Sequence, residues 1–164
     1  MRTTDDKPLA VVTGGASGIG AAVVRHFQAE KWRVVIADCN EDAGRALSAT
    51  LENTFFIPLD VAEEASVLSL AETVHRDHGI AAALINSAGI LQNATRISEM
   101  ALNEFDTIMS VNLRGALLCS RAFGVQMAGA GQGSIITLCS VTSLRAAPQP
   151  AYAMSKAGLL MMTE

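Results

Sequence analysis

The sequence predicts an α/β protein, a doubly wound parallel sheet with helices on both faces. Short, continuously apolar, β-branched runs recur along the chain, and segments of helical period lie between them. A glycine-rich turn joins the first such run to the first helical segment. A strand with one wet face alternates apolar and polar residues, whereas a strand covered on both faces is apolar throughout. These runs therefore belong in a sheet between two helical layers.

The elements follow in order. "LAVVT" is the first strand, and "IGAAVVRHFQAEKW" is a helix with Ile19, Val23 and Phe27 on one face. Trp32 closes that helix against the sheet, partly buried, where a glycine often ends a helix. The strand "RVVIAD" comes next, then the helix "EDAGRALSATL", the strand "FFIPLD", the helix "EEASVLSLAETVHRDHG" and the strand "AALIN". One long helix is expected over residues 102–127, a fifth strand in "SIITLCS", and a last helix from about Tyr152. With no repeat, low-complexity tract or linker, residues 1–164 form one domain of five strands, and this architecture orders them 3-2-1-4-5.

Composition excludes several classes of function. The chain has 164 residues, half of them apolar, and a formal charge of −4 with no basic stripe, so nucleic acid is not an expected partner. The apolar runs are strand-length, far short of the roughly 18 residues a membrane span needs. The start, "MRTTDDKP", has no signal-peptide apolar region, so a cytoplasmic location is expected. Cys39, Cys119 and Cys139 are an odd number without CxxC spacing, expected as buried free thiols in a reducing compartment. His75 and His78 could share a helix face, but with no third ligand in sight they read as a solvated helix end and no metal is expected.

The turn "TGGASGIG" lies between strand and helix. Gly14, Gly18 and Gly20 let the backbone approach a pyrophosphate, whose charge meets free N–H groups and the positive end of the helix dipole. This context makes the fold Rossmann-type. Asp38 ends the second strand, where a carboxylate accepts hydrogen bonds from both adenosine ribose hydroxyls and repels a 2′-phosphate, which favours NAD over NADP. The competing reading of Asp38 is a surface cap on the next helix.

Tyr152 is the single tyrosine, and Lys156 lies one helical turn beyond it on the same face. A phenol works as a base at neutral pH with help from neighbouring positive charge, which a lysine ammonium provides. Ser140, at the expected end of the fifth strand, faces the ligand crevice and can reach a substrate oxygen.

Taken together, "TGGASGIG", Asp38, "LDV" with Asp60 and Val61, "NSAG" at residues 86–89, Asn112 in "MSVNLRG", Ser140 and "YAMSK" resemble the short-chain dehydrogenase/reductase family, in family order and over essentially the whole chain. The resemblance implies that Tyr152 is the general acid/base. Lys156 would hold the nicotinamide ribose and assist the phenol's ionisation, Ser140 would orient the reacting oxygen, and Asn112 would anchor a water in a proton relay. Gly14, Ser17, Gly18, Ile19 and Gly20 would cradle the pyrophosphate. Asp60 and Val61 would flank the adenine, and Asn86, Ala88 and Gly89 would lie along the cofactor.

The same resemblance implies that the family's last strands and substrate lid are missing, which leaves the edge of the fifth strand and apolar residues after Lys156 uncovered. It also implies a homo-oligomer formed through the helix at 102–127 and the Tyr152/Lys156 helix. The expected function is hydride transfer between NAD and a secondary alcohol or ketone. The alternatives are a non-catalytic dinucleotide-binding module or an inactive fragment. Leu91, Gln92, Leu144, Ala146 and Gln149 are expected to border the reacting carbon.

Overall fold

The computed structural model describes residues 7–145 and 147–163; the start "MRTTDD", Ala146 and Glu164 lie outside them. Five parallel strands, β1 (Leu9–Thr13), β2 (Arg33–Asp38), β3 (Thr54–Pro58), β4 (Ala83–Asn86) and β5 (Ser134–Thr137), form one sheet in the order β3-β2-β1-β4-β5. The helices are α1 (Gly18–Ala29), α2 (Glu41–Ala49), α3 (Glu64–His78), α4 (Leu102–Ile108), α5 (Gly115–Gly129) and α6 (Pro150–Thr163).

Alternation along the strands divides the core into two layers. Leu9, Val11, Val35 and Leu84 pack with Val67, Leu70 and Val74 of α3 and with Cys119, Phe123 and Met127 of α5. Ala10, Val12, Val34, Ile36 and Ile85 pack on the other face with Val24 of α1 and Leu47 of α2. Because each strand feeds both layers, apolar residues occupy every position of β1 except its last, Thr13. From β3 the chain crosses to the far side of β1 to form β4. The connections after β1 and β4 therefore diverge at the carboxyl end of the sheet and leave a crevice there.

Trp32 closes α1 as expected. Its N–H donates to Phe27 O at 3.0 Å and that of Lys31 to Gln28 O at 2.9 Å. Phe27 and Trp32 meet edge-on with ring centroids 4.9 Å apart. This is the glycine-ended helix stop with its usual hydrophobic contact, but Lys31 carries the positive φ of 67°.

Four expectations need correction. β3 stops at Pro58, because the Asp60 carboxylate takes the Ala62 N–H at 2.9 Å and turns the chain. β5 stops at Thr137, and Ser140 instead caps the short 3-10 turn Val141–Ser143. The helix expected to run unbroken over 102–127 contains a π-helical stretch, Met109–Arg114, between α4 and α5. His78 is not a solvated helix end: its ring lies 4.3 Å from that of Phe55, and burial followed by the nearby Arg33 charge holds its pKa below the ordinary histidine value.

β5 is an uncovered edge, with Ile135 and Ile136 exposed. On α6, Leu159 is buried while Met161 is exposed. Among the described residues, no helix is long and apolar enough to cross a membrane, and no group of three or more His, Cys, Asp or Glu side chains could hold a metal ion.

Candidate active site

A cleft of about 530 Å³ opens at the carboxyl ends of the strands. Gly14, Ser17, Gly18, Ile19 and Gly20 line it from the first turn, Asp38, Asp60 and Val61 from the ends of β2 and β3, Ala88 and Gly89 from the loop after β4, and Tyr152 and Lys156 from α6. Residues separated by more than a hundred positions in the chain thus face one space.

The glycine turn is shaped for close approach. Gly14 has φ 63°, and a Cβ there would lie 2.7 Å from the Cα of Ala88, so only glycine lets the two loops cross. Gly18, at φ 51°, begins α1 with nothing within 4 Å of where a side chain would stand. Ser17 precedes the helix without a side-chain capping bond. The dipole and the first-turn N–H groups of α1 meet the cleft there.

Asp38 holds this turn in place. Its Oδ2 accepts the Ala16 N–H and its Oδ1 accepts the Asn40 N–H, each at 2.9 Å. Asn40, by accepting the Ala43 N–H at 3.1 Å, caps α2, so Asp38 is not the helix cap.

The loop after β4 is tied to β1 by Thr13, whose Oγ1 accepts the N–H groups of Ser87 and Ala88, both at 3.2 Å. Asn86 faces away from the cleft. It is buried and donates to Ser120 Oγ at 2.9 Å, joining β4 to α5.

Lys156 is 6% exposed, and its Nζ lies 5.8 Å from the Tyr152 ring centroid. That Nζ donates to Leu138 O at 2.7 Å. Burial pushes the ammonium below the ordinary lysine range, and the nearby Cys139 thiol opposes this.

Asn112 is fully buried in the π-helical stretch. Its Oδ1 accepts the Ile90 N–H at 2.8 Å, while Nδ2 donates to Ile90 O at 3.0 Å and to Ser155 Oγ at 3.1 Å. Both N–H groups are engaged, and Oδ1 accepts one of the two bonds it can take. Ser140 is half-buried, its Oγ accepting the Thr142 N–H at 3.2 Å. Ser143 returns a bond to Ser140 N and donates to Lys156 O at 2.9 Å, which fastens the turn to α6.

Of the residues expected around the reacting carbon, Leu91 and Leu144 are exposed and Leu91 lines the cleft. Gln149 is half-buried, and Ala146 lies outside the described residues. Gln92 is not a pocket residue: it is 4% exposed and bonded to the first turn of α6. Sequence reasoning assigned no role to Thr13, Ser143 or Ser155. The first stands inside the glycine motif and the second stands three residues after Ser140, so spacing offered a signal for both. Cys119 alone is buried; Cys39 and Cys139 are exposed because each follows a strand end at the cleft.

Residues 8–164 match the sequence profile described as short chain dehydrogenase. The chain is 35% identical over 156 residues to 2-dehydro-3-deoxy-L-rhamnonate dehydrogenase (NAD(+)) of Sphingomonas sp., covering 94% of this chain and 63% of that one. It is 35% identical over 160 residues to D-threitol dehydrogenase of Mycolicibacterium smegmatis, covering 94% of this chain and 61% of the relative. A crystal structure titled ribose-5-phosphate isomerase, from Brucella melitensis, superposes with a TM-score of 0.94 at 37% identity, covering 97% of this chain and 61% of that chain. The chain therefore spans less than two thirds of the length of these relatives.

Proposed function

The chain belongs to the short-chain dehydrogenase family, and on that premise we propose that its cleft binds NAD and that the protein transfers hydride between this cofactor and a secondary alcohol or ketone. The observation that carries the reading is that one cleft holds both an anion cradle at the start of α1 and the Tyr152/Lys156 pair.

The residues present fit a dinucleotide. Gly18 leaves open space at a helix N-terminus, the backbone of Gly14 is close to Ala88, and the exposed Ile19 offers an apolar surface to a planar group. Asp38 would accept the adenosine ribose hydroxyls and repel a 2′-phosphate, while Asp60 and Val61 would border the adenine. When bound, the nicotinamide supplies the hydride acceptor or donor.

The chain's own groups handle the proton. Tyr152 Oη accepts the alcohol proton during oxidation and returns it during reduction, and the Ser140 hydroxyl orients the reacting oxygen. The buried Lys156 ammonium, 5.8 Å from the Tyr152 ring centroid, would hold the ribose. Asn112 shapes the backbone at Ile90, next to Gly89, and would anchor a water of the proton relay through the second acceptor position of Oδ1.

Titration calorimetry with NADH and NADPH, alongside an absorbance assay on secondary alcohols, tests this reading. NADH should bind at least tenfold more tightly than NADPH, and equal affinity would remove the role given to Asp38. A second reading, binding without turnover, has its own support: Leu91, which lines the cleft, is 80% exposed and Leu144 is 78% exposed, so among the described residues neither is covered. NADH binding with no turnover would favour it.

Self-association through α5 and α6 belongs to the proposal as well. It is supported by the exposed Leu117, Val125, Met154 and Met161 and by an apolar groove between α3 and α5 lined by Val67, Leu68 and Leu118. Three free cysteines support a reducing, cytoplasmic setting.

A further inference from the structure

We infer that Gln92 is a positioning residue for Tyr152, a helix cap supplied from a distant loop to the first turn of α6. α6 begins at Pro150, which has no N–H, so the orphan donors of its first turn start at Ala151. Gln92 Oε1 accepts the N–H of Ala151 at 2.9 Å and that of Tyr152 at 3.4 Å. The next donor, Ala153 N–H, reaches Gln149 O at 2.9 Å within the helix.

Both ends of the Gln92 side chain are engaged, since its Nε2 donates to Glu104 Oε2 of α4 at 3.2 Å. Gln92 is 4% exposed and Ala151 is 0% exposed, so water cannot stand in for the cap. A second bond, Thr95 N–H to Pro148 O at 2.8 Å, holds the same loop against the residues that enter α6. The loop after β4 thus clamps the backbone of Tyr152 itself and links it through Gln92 and Glu104 to α4.

A helix start held this way keeps the Tyr152 backbone from fraying, and the direction of its side chain follows from that backbone. A displacement of about 1 Å at a reacting group can cost on the order of 100-fold in rate. The inference rests on the proposed role of Tyr152 for its effect on rate, but the cap itself can be read without turnover.

Three variants of the full chain separate the possibilities: Gln92→Leu, Gln92→Glu, and the exchange Gln92→Glu with Glu104→Gln. The leucine variant removes the acceptor. The glutamate variant keeps the acceptor but sets two carboxylates together, and the exchange restores one donor and one acceptor with their places reversed. Amide hydrogen exchange at Ala151 and Tyr152 should accelerate at least tenfold in Gln92→Leu and return to within about threefold of the original in the double variant. Unchanged exchange in Gln92→Leu overturns the inference, whatever the protein's activity.

Where the original chain turns over, kcat should fall by about 10- to 100-fold in Gln92→Leu and recover in the exchange, with the KM for NADH changed less than threefold. Loss of amide protection with kcat unchanged overturns the positioning role while leaving the proposed hydride transfer intact. An original chain that binds NADH without turnover removes the catalytic reading and leaves the cap to be judged by exchange alone.

Discussion

The Lys156 ammonium donates to the Leu138 carbonyl at 2.7 Å, so the residue that faces the cleft from α6 is anchored to the chain just past β5. The bond fixes the long side chain at one end of its reach, one helical turn from Tyr152. It also explains how a buried charge is tolerated, since a charge-assisted hydrogen bond offsets part of its lost hydration.

Lys156→Met should abolish measurable turnover yet leave the fold intact. The pH dependence gives a sharper check. Because the folded-state pKa lies below the ordinary lysine value of 10.5, the unfolded chain binds more protons at this group between those two values, so Lys156 makes a contribution to stability that rises with pH up to about 10.5, against the falling contribution of the buried Cys119 thiol. Chemical denaturation across that alkaline window should show the original chain gaining stability relative to Lys156→Met as pH rises.

Asn112→Ala should destabilise by roughly 3 kcal/mol, because it strips partners from the Ile90 N–H, the Ile90 carbonyl and Ser155 Oγ in a fully buried place. Denaturant titration measures this directly. An unchanged midpoint would mean that the loop at Ile90 does not depend on the carboxamide.

The parts legible in the sequence are those that local chemistry dictates. Gly14 and Gly18 favour glycine through their positive φ, and Gly14 also through its close approach to Ala88, while Asp38 had to end a strand to reach the glycine turn. Apolar strands such as "RVVIA" announced a sheet covered on both faces. Contacts between remote residues were not legible. Gln92 looks like an ordinary polar loop residue until α6 is folded beside it, and Asn112, in the π-helical stretch, finds its partner at Ile90, 22 positions away. Periodicity reports which face of a helix is apolar and is blind to a polar side chain that bonds to a remote loop.

The cysteines should differ in reactivity. Burial pushes the Cys119 thiol up to about 12, so almost no thiolate exists at neutral pH. Cys39 and Cys139 line the cleft, and burial followed by the Asp38 charge raises the Cys39 thiol as well. Brief alkylation followed by intact mass measurement should show two adducts on the native protein, Cys139 reacting before Cys39, and NADH should protect both. A third adduct on folded protein would contradict the burial of Cys119.

The most direct measurement is hydride transfer by Tyr152→Phe, with NADH affinity determined on the same preparation. Loss of one hydroxyl should lower kcat by about 100- to 10,000-fold while NADH affinity stays within a factor of about three. Turnover by the phenylalanine variant equal to that of the original chain would contradict the assignment of Tyr152 as the group that moves the proton.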